Sequence, residues 1–465
     1  MEPFCYDNGK YVKGWWEMEN EVNPNIERKV IPLWSLTVWL VVMNTTMFNV
    51  ALPSVIGDFQ LTPTIGSIIV SGYSIAFAIA TITYSRLSDF IPIRMLLITA
   101  LVILGVASMI GYIANTFSLL VTARLLQAVG AGAVPGLAMV LAARYISLAR
   151  RGRAMSLISS AASLGFGLGP VVGGSITQWW GWNALFLVTT LVLFLLPWFK
   201  RWLPVEEQKP IQFDLLGAAL TAFGVAIALV YLVTFQNWLL ILSLVTFYVL
   251  WKHIHRPSQQ TPFIQPQLLR QGSYLKLLFI GFSAFSTHFA ILFLMPIMLA
   301  VLYGKSPAAI GLIIFPGAML SAFAAIFIGK AIDRWGNQPL LRLGHLLLGA
   351  STLAFAWLSV YSPHMILITY MLTSIGFTCM TASLSNEVSR ILDKPMLGSG
   401  MGLMQLIQFF GGAFGVTAAG LFLDVQKELS PEVLYRNVFM SFSVLILFSF
   451  GLLSLYLKKQ HRVSV

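Results

Sequence analysis

Fourteen apolar stretches, most of them near 20 residues, follow one another along this chain: approximately 30–53, 64–87, 95–114, 117–145, 155–177, 183–199, 214–235, 238–252, 276–302, 308–328, 341–360, 364–386, 398–423 and 437–457. A stretch of that length wound as a helix matches the hydrocarbon thickness of a bilayer and satisfies its own backbone without water. With 57% apolar and 10% charged residues, against about 25% charged in soluble domains, the chain cannot hide its side chains in a water-facing core. The expected fold is therefore all-α and membrane-embedded. The weakest stretch, 238–252, is short. Trp238 and Trp251 flank it as interfacial anchors would, and Gln236-Asn237 supplies the preceding turn. The alternative is twelve spans with a re-entrant hairpin at 214–252.

The charges choose the orientation. Alternate connections hold Arg86 and Arg94, Arg144 to Arg153, Lys200 to Lys209, Lys252 to Lys276, Lys330 to Arg342, and Arg390 with Lys394. The opposite side carries only Lys305, Lys427 and Arg436, and Arg124 alone lies inside a span. The positive-inside rule puts both termini in the cytoplasm and requires an even number of spans. The net charge of +12 thus records topology and excludes a nucleic-acid partner. Residues 1–28 are polar, lack the basic-then-apolar pattern of a secretory signal, and read as a cytoplasmic tail with Trp15 and Trp16 at the membrane interface. Two cysteines, Cys5 in that tail and Cys379 inside a span, make no disulfide scaffold or metal cluster. With no nucleophile set or nucleotide loop either, the chain is not expected to be an enzyme and needs no cofactor.

Two halves of the chain repeat. An offset of 244 superposes Asp89 on Asp333, and one of 246 places Arg144 on Arg390, Gly130 on Gly376, Met155 on Met401 and Gly169 on Gly415. Parallel six-span repeats around a midplane site are an alternating-access architecture. The expected organisation is a tail at 1–28, a bundle at 29–203, an inserted two-helix hairpin with its flanks at 204–256, a cytoplasmic linker at 257–275, a second bundle at 276–457 and a tail at 458–465.

The motifs resemble a family. Gly329-x-x-x-Asp333-Arg334-x-Gly336 is similar to the cytoplasmic loop signature of the major facilitator superfamily, and Tyr84 to Arg94 (with Arg86 and Asp89) is its first copy. Arg124-Leu-Leu-Gln127-Ala-Val-Gly130 resembles the span-4 motif, and Gly165 to Gly174, with Gly169, Pro170 and Gly173, resembles the span-5 motif of antiporters. Asn49-Val-Ala-Leu-Pro53 resembles the fourteen-span drug/proton antiporter branch, and the closest resemblance is to the Gram-positive tetracycline/proton antiporters. It implies a major facilitator fold in the plasma membrane and export (efflux, antibiotic resistance) of a small amphipathic compound in exchange for protons. It also gives the loops a gating role for Asp89, Arg86, Arg94, Gly329, Asp333, Arg334 and Gly336. The glycines of span 5 are expected to seal the two bundles against each other.

The chain departs from those relatives in its carboxylates. None of its seventeen acidic residues falls in the middle of a span. The Asp that the branch carries in span 1 is Asn44 here, and the carboxylates of the tetracycline exporters read as Thr45, Phe166 and Gly412. Candidates for proton coupling or substrate contact are Arg124, His288 and Glu387, the last also able to pair with Arg390. The cavity is expected to be lined by Asn44, Thr45, Asn49, Tyr73, Gln127, Phe166, Thr287, Tyr370, Gln405 and Gln408. Such a wall suits a neutral or anionic solute. An uncoupled or organic-anion facilitator, or a non-transporting sensor on a degenerate carrier fold, are the alternatives. Oligomeric state is left open.

Overall fold

The computed structural model describes residues 6–7, 10–11, 26–88, 90–146, 148–206, 214–256, 262–393 and 396–463. The tail calls at Trp15, Trp16 and Cys5 fall outside them, as does Asp89. Of the tail, Tyr6–Asp7 and Lys10–Tyr11 pair as a minimal antiparallel ribbon.

Helices follow where the apolar stretches lie: α1 Ile31–Asp58, α2 Pro63–Leu87, α3 Ile93–Tyr112, α4 Phe117–Tyr145, α5 Leu148–Trp180, α6 Trp182–Trp202, α7 Leu215–Thr234, α8 Asn237–Ile254, α9 Gly272–Val301, α10 Pro307–Trp335, α11 Asn337–Leu358, α12 Pro363–Ile391, α13 Leu397–Val425 and α14 Pro431–Val463. α6 is a broken rod, with 3₁₀ turns at Trp182–Ala184 and Leu191–Leu195. Starts are written locally. Thr62, Thr116 and Ser306 each cap the amide three residues on, and Pro63 and Pro307 follow their caps at the first helical position, where no N–H is needed. Gly336 ends α10 at φ +77°, a conformation a side chain would strain.

Packing repeats as the sequence does. In the first half α1 lies along α5, and α4 lies between α2 and α3; in the second, α9 lies along α13, and α12 lies between α10 and α11. The bundles meet chiefly where α5 lies on α10 and α2 on α13. α7 leans on α2 and α13, while α8 packs on α7 and presents Trp238, Ile241, Leu244 and Tyr248 outward, as a lipid-facing surface does. Both are long and apolar enough to cross a bilayer: α8 has 18 residues, about 27 Å at 1.5 Å per residue.

Asp214 ties this hairpin to the linker. It caps α7 through Gly217 N (2.8 Å), pairs with His253 Nε2 at the end of α8 (2.7 Å) and accepts from Phe263 N (2.9 Å). Burial alone would raise its pKa. The hydrogen bonds from Phe263, His253 and Gly217 outweigh that and hold the carboxyl below its ordinary value.

Candidate functional site

A central cavity of about 340 Å³ lies between the bundles, walled by α1, α5, α9, α10, α12 and α13. Its aromatic side comes from residues at helical spacing. His288 of α9 lies flat on Phe377 of α12, centroids 3.9 Å apart and planes 5° from parallel. Phe285 meets Phe377 edge-on at 5.0 Å and stacks on Phe289 at 5.8 Å. Tyr370 lies 6.3 Å from His288, and Phe166 and Phe409 close the ring from α5 and α13. The polar side is neutral: Thr46, Asn49, Ser321, Thr378, Thr381, Gln405 and Gln408. Among the described residues no Asp, Glu, Lys or Arg lines this cavity. His288 Nδ1 and Gln408 Nε2 are buried without a protein partner. Buried polar atoms normally have one, so these are free to bond a guest.

Gln405 and Gln408 also line a second space, a cleft of about 610 Å³ on the cytoplasmic side. Arg86, Ser85, Gly136, Ser385 and Met401 belong to its wall, with Phe263 and Ile264 of the linker. On the opposite face the bundles are in contact through Asp424 with Thr64 and Gln178 with Ala308.

Several predicted residues are thus brought together: Asn49, Phe166, His288, Tyr370, Gln405 and Gln408. Others form a separate cluster inside the first bundle. Arg124 is 2% exposed; its guanidinium lies between Phe48 and Tyr73, 3.9 and 4.1 Å from their centroids. It donates to Gln127 Oε1 (2.9 Å) and Asn44 Oδ1 (3.4 Å), and Gln127 donates on to Ser108 (2.7 Å). Asn44, Tyr73, Gln127 and Arg124 therefore stand beside the cavity rather than on its wall, as does buried Thr287. Thr45 gives way to Thr46, whose side chain is rotated about 100° further round α1. Phe285, Phe289, Phe377 and Phe409 were missed because an aromatic at helical spacing reads as core.

Glu387 lies away from the cavity. It bonds Arg390 (2.7 Å), Asn337 (2.7 Å) and Tyr456 at the cytoplasmic end of the second bundle. The first bundle has a counterpart from another source. Glu206 pairs with Arg144 at 3.5 Å, the repeat mate of Arg390, and accepts from Ile93 N at 2.6 Å, at the start of α3. Asp89 and the side chain of Asp333 lie outside the described residues. Of the other loop residues, Arg94 is half-buried and Arg334 is exposed beside Trp335. Gly329 has open space where a side chain would go.

The glycines of α5 act differently from the expectation. Gly165, Gly169 and Gly173 admit the backbone of α1 within the same bundle, where a methyl would overlap Trp39, Thr46 or Met47. The contact between bundles uses the next face of the helix. A methyl on Gly174 would overlap the Pro307 carbonyl, and one on Gly311 of α10 would overlap the Pro170 carbonyl. A spacing of four keeps 165, 169 and 173 on one stripe, and Pro170 and Gly174 fall on the neighbouring one.

Comparison with known proteins agrees with this fold. The family model described as Major Facilitator Superfamily matches residues 34–416. The chain is 23% identical over 392 residues to the riboflavin transporter RibZ of Clostridioides difficile (strain 630), covering 83% of each protein. It is 23% identical over 424 residues to MdtD of Enterobacter sp. (strain 638), a protein named for multidrug resistance, covering 87% of this chain and 89% of that one. A bacterial homolog of the human lysosomal transporter Spinster, solved in an inward-facing conformation, superposes with a TM-score of 0.67 at 13% identity over 93% of this chain and 97% of that one. At that identity the likeness is one of fold. The chain belongs to the major facilitator superfamily: it is a multi-pass membrane transporter and not an enzyme.

Proposed function

We propose that this transporter exports small, uncharged, flat aromatic compounds with hydrogen-bonding edges across the plasma membrane by alternating access. The observation that carries the proposal is the cavity wall: aromatic rings, neutral polar groups and no charged side chain among the described residues. Rings stack on such a wall in offset or edge-on geometry. His288 Nδ1 and Gln408 Nε2 would meet a solute's polar edge, since a few placed polar groups in an apolar pocket fix orientation. A lipophilic cation or a tetracycline–metal complex would find no counter-charge there, and Thr45, Phe166 and Gly412 offer none. RibZ is named for riboflavin, itself a flat fused-ring compound, and MdtD's name supports efflux. The fourteen-span drug-exporter branch fits the inserted hairpin and the Gly165–Gly174 motif.

Protons are the exchanged ion in this proposal, and His288 is their carrier, because its imidazole on the cavity wall is a group that can bind and release a proton. Uncoupled facilitation is the second reading, favoured by the lack of a carboxylate on the cavity wall. Purified protein in proteoliposomes with an imposed pH gradient separates the two. Counterflow of neutral planar aromatics that depends on the gradient and is lost in His288→Ala supports exchange. Movement that ignores the gradient supports the facilitator. Preference for organic cations over neutral aromatics would overturn the substrate class.

A further inference from the structure

The external ends of the two bundles meet at two points that are copies of each other. At one, Asp424 near the end of α13 accepts a hydrogen bond from the backbone amide of Thr64 in the first turn of α2, at 3.0 Å. At the other, Gln178 near the end of α5 accepts from the backbone amide of Ala308 in the first turn of α10, at 3.2 Å. Thr64 and Ala308 are 244 residues apart, and Gln178 and Asp424 are 246 apart, the offsets that relate the sequence motifs. The glycine contacts obey the same relation. A methyl on Gly174 would overlap the Pro307 carbonyl, and one on Gly420 would come within 2.9 Å of the Pro63 carbonyl.

The first amides of a helix have no partner within it and must be capped. Thr62 and Ser306 cap one amide each of α2 and α10 from their own chain ends, at Ile65 and Ala309. The amides of Thr64 and Ala308 are capped from the opposite bundle. Neither bond survives separation of the bundles on this face. The copies also differ in strength. Asp424 is a half-buried carboxylate on a helix N-terminus, where a negative charge is favoured, whereas Gln178 is neutral and exposed.

We propose that Asp424 and Gln178 are positioning residues of the extracellular gate: trans-caps that set the balance between the inward-open and outward-open states, with Asp424 the stronger. The α5–α10 side then yields before the α2–α13 side when the transporter turns outward. The proposal needs no assumption about substrate or coupling ion.

The test is a distance measurement on the full-length protein in nanodiscs without substrate or pH gradient, so its outcome is separate from that of the substrate and coupling assays. Spin labels replace Leu61 and Lys427 across one contact, or Trp179 and Lys305 across the other, in a background carrying Cys5→Ser and Cys379→Ser. Asp424→Ala should raise the ratio of outward-open to inward-open protein about tenfold, as loss of a charged hydrogen bond implies, and Gln178→Ala about threefold. Asp424→Asn, which keeps an acceptor and removes the charge, should fall between wild type and Asp424→Ala. It also serves as the conservative variant should Asp424→Ala fail to fold. Distance distributions unchanged in Asp424→Asn and in the Asp424→Ala/Gln178→Ala pair, or a larger shift from Gln178→Ala than from Asp424→Ala, would overturn the assignment.

Discussion

Replacing Arg124 by lysine should harm the fold more than removing the charge altogether. The guanidinium is held between two rings, 3.9 Å from Phe48 and 4.1 Å from Tyr73, while Nη1 reaches Gln127 at 2.9 Å. Desolvated cation–π contacts contribute about 2 kcal/mol each, and a hydrogen bond from a charged donor about 1.5–3 kcal/mol. A lysine ammonium is a compact point charge, which cannot lie flat between two rings and span to Gln127 at once. Arg124→Lys therefore keeps the cost of burying a charge and loses most of its compensation, a loss of about 3–5 kcal/mol. Arg124→Met removes the charge together with its desolvation cost. It leaves the Gln127 and Asn44 oxygens without a donor, for a net loss of about 1–2 kcal/mol. Thermal unfolding of detergent-purified protein reads both losses. A lysine variant as stable as wild type, or more stable than the methionine variant, would refute this account of Arg124.

Other outcomes follow from the same structure. Phe377→Ala removes the ring beneath His288 and should raise KM for flat aromatic solutes about two- to tenfold, with little change for non-aromatic ones, in a proteoliposome uptake series. Asp214→Asn should lower thermal stability by about 1–3 kcal/mol through loss of the charged bonds to His253 and Phe263. Because the Asp214 pKa is depressed in the fold, its contribution is present above the ordinary carboxylate range and lost as pH falls through the lower folded value. The wild-type melting curve should therefore drop below about pH 4, and the Asn variant should lack that part of the drop. Gly336→Ala places a methyl at φ +77° and should cost about 1–2 kcal/mol, read as a lowered melting temperature.

Helices were legible because the bilayer imposes a length that each stretch must obey locally. The duplication was legible too, since Asp333 and Arg390 repeat Asp89 and Arg144 at fixed offsets. The site was legible in part. His288, Gln405 and Gln408 announce themselves as polar groups at membrane depth. Phe285, Phe377 and Phe409 do not, because nothing in a sequence separates an aromatic that packs from one that faces a void. Thr45 against Thr46, and the Gly173 stripe against Gly174, are choices of helix rotation, which tertiary packing decides. Asn44, Tyr73, Gln127 and Arg124 were recognised as polar residues on the right helices, but they pack on one another inside the first bundle and so do not reach the cavity.

The knot at Asp214 has a mechanical consequence. Two bundles joined by a long flexible chain could swing apart freely, since added chain length costs little entropy. Here the chain is pinned at Phe263, next to Ile264 on the wall of the cytoplasmic cleft. Only the short run from there to α9, itself part helical at Pro266–Arg270, remains to be drawn out. A cytoplasmic mouth that gapes wider than that run can reach would have to break the bond from Phe263 to Asp214.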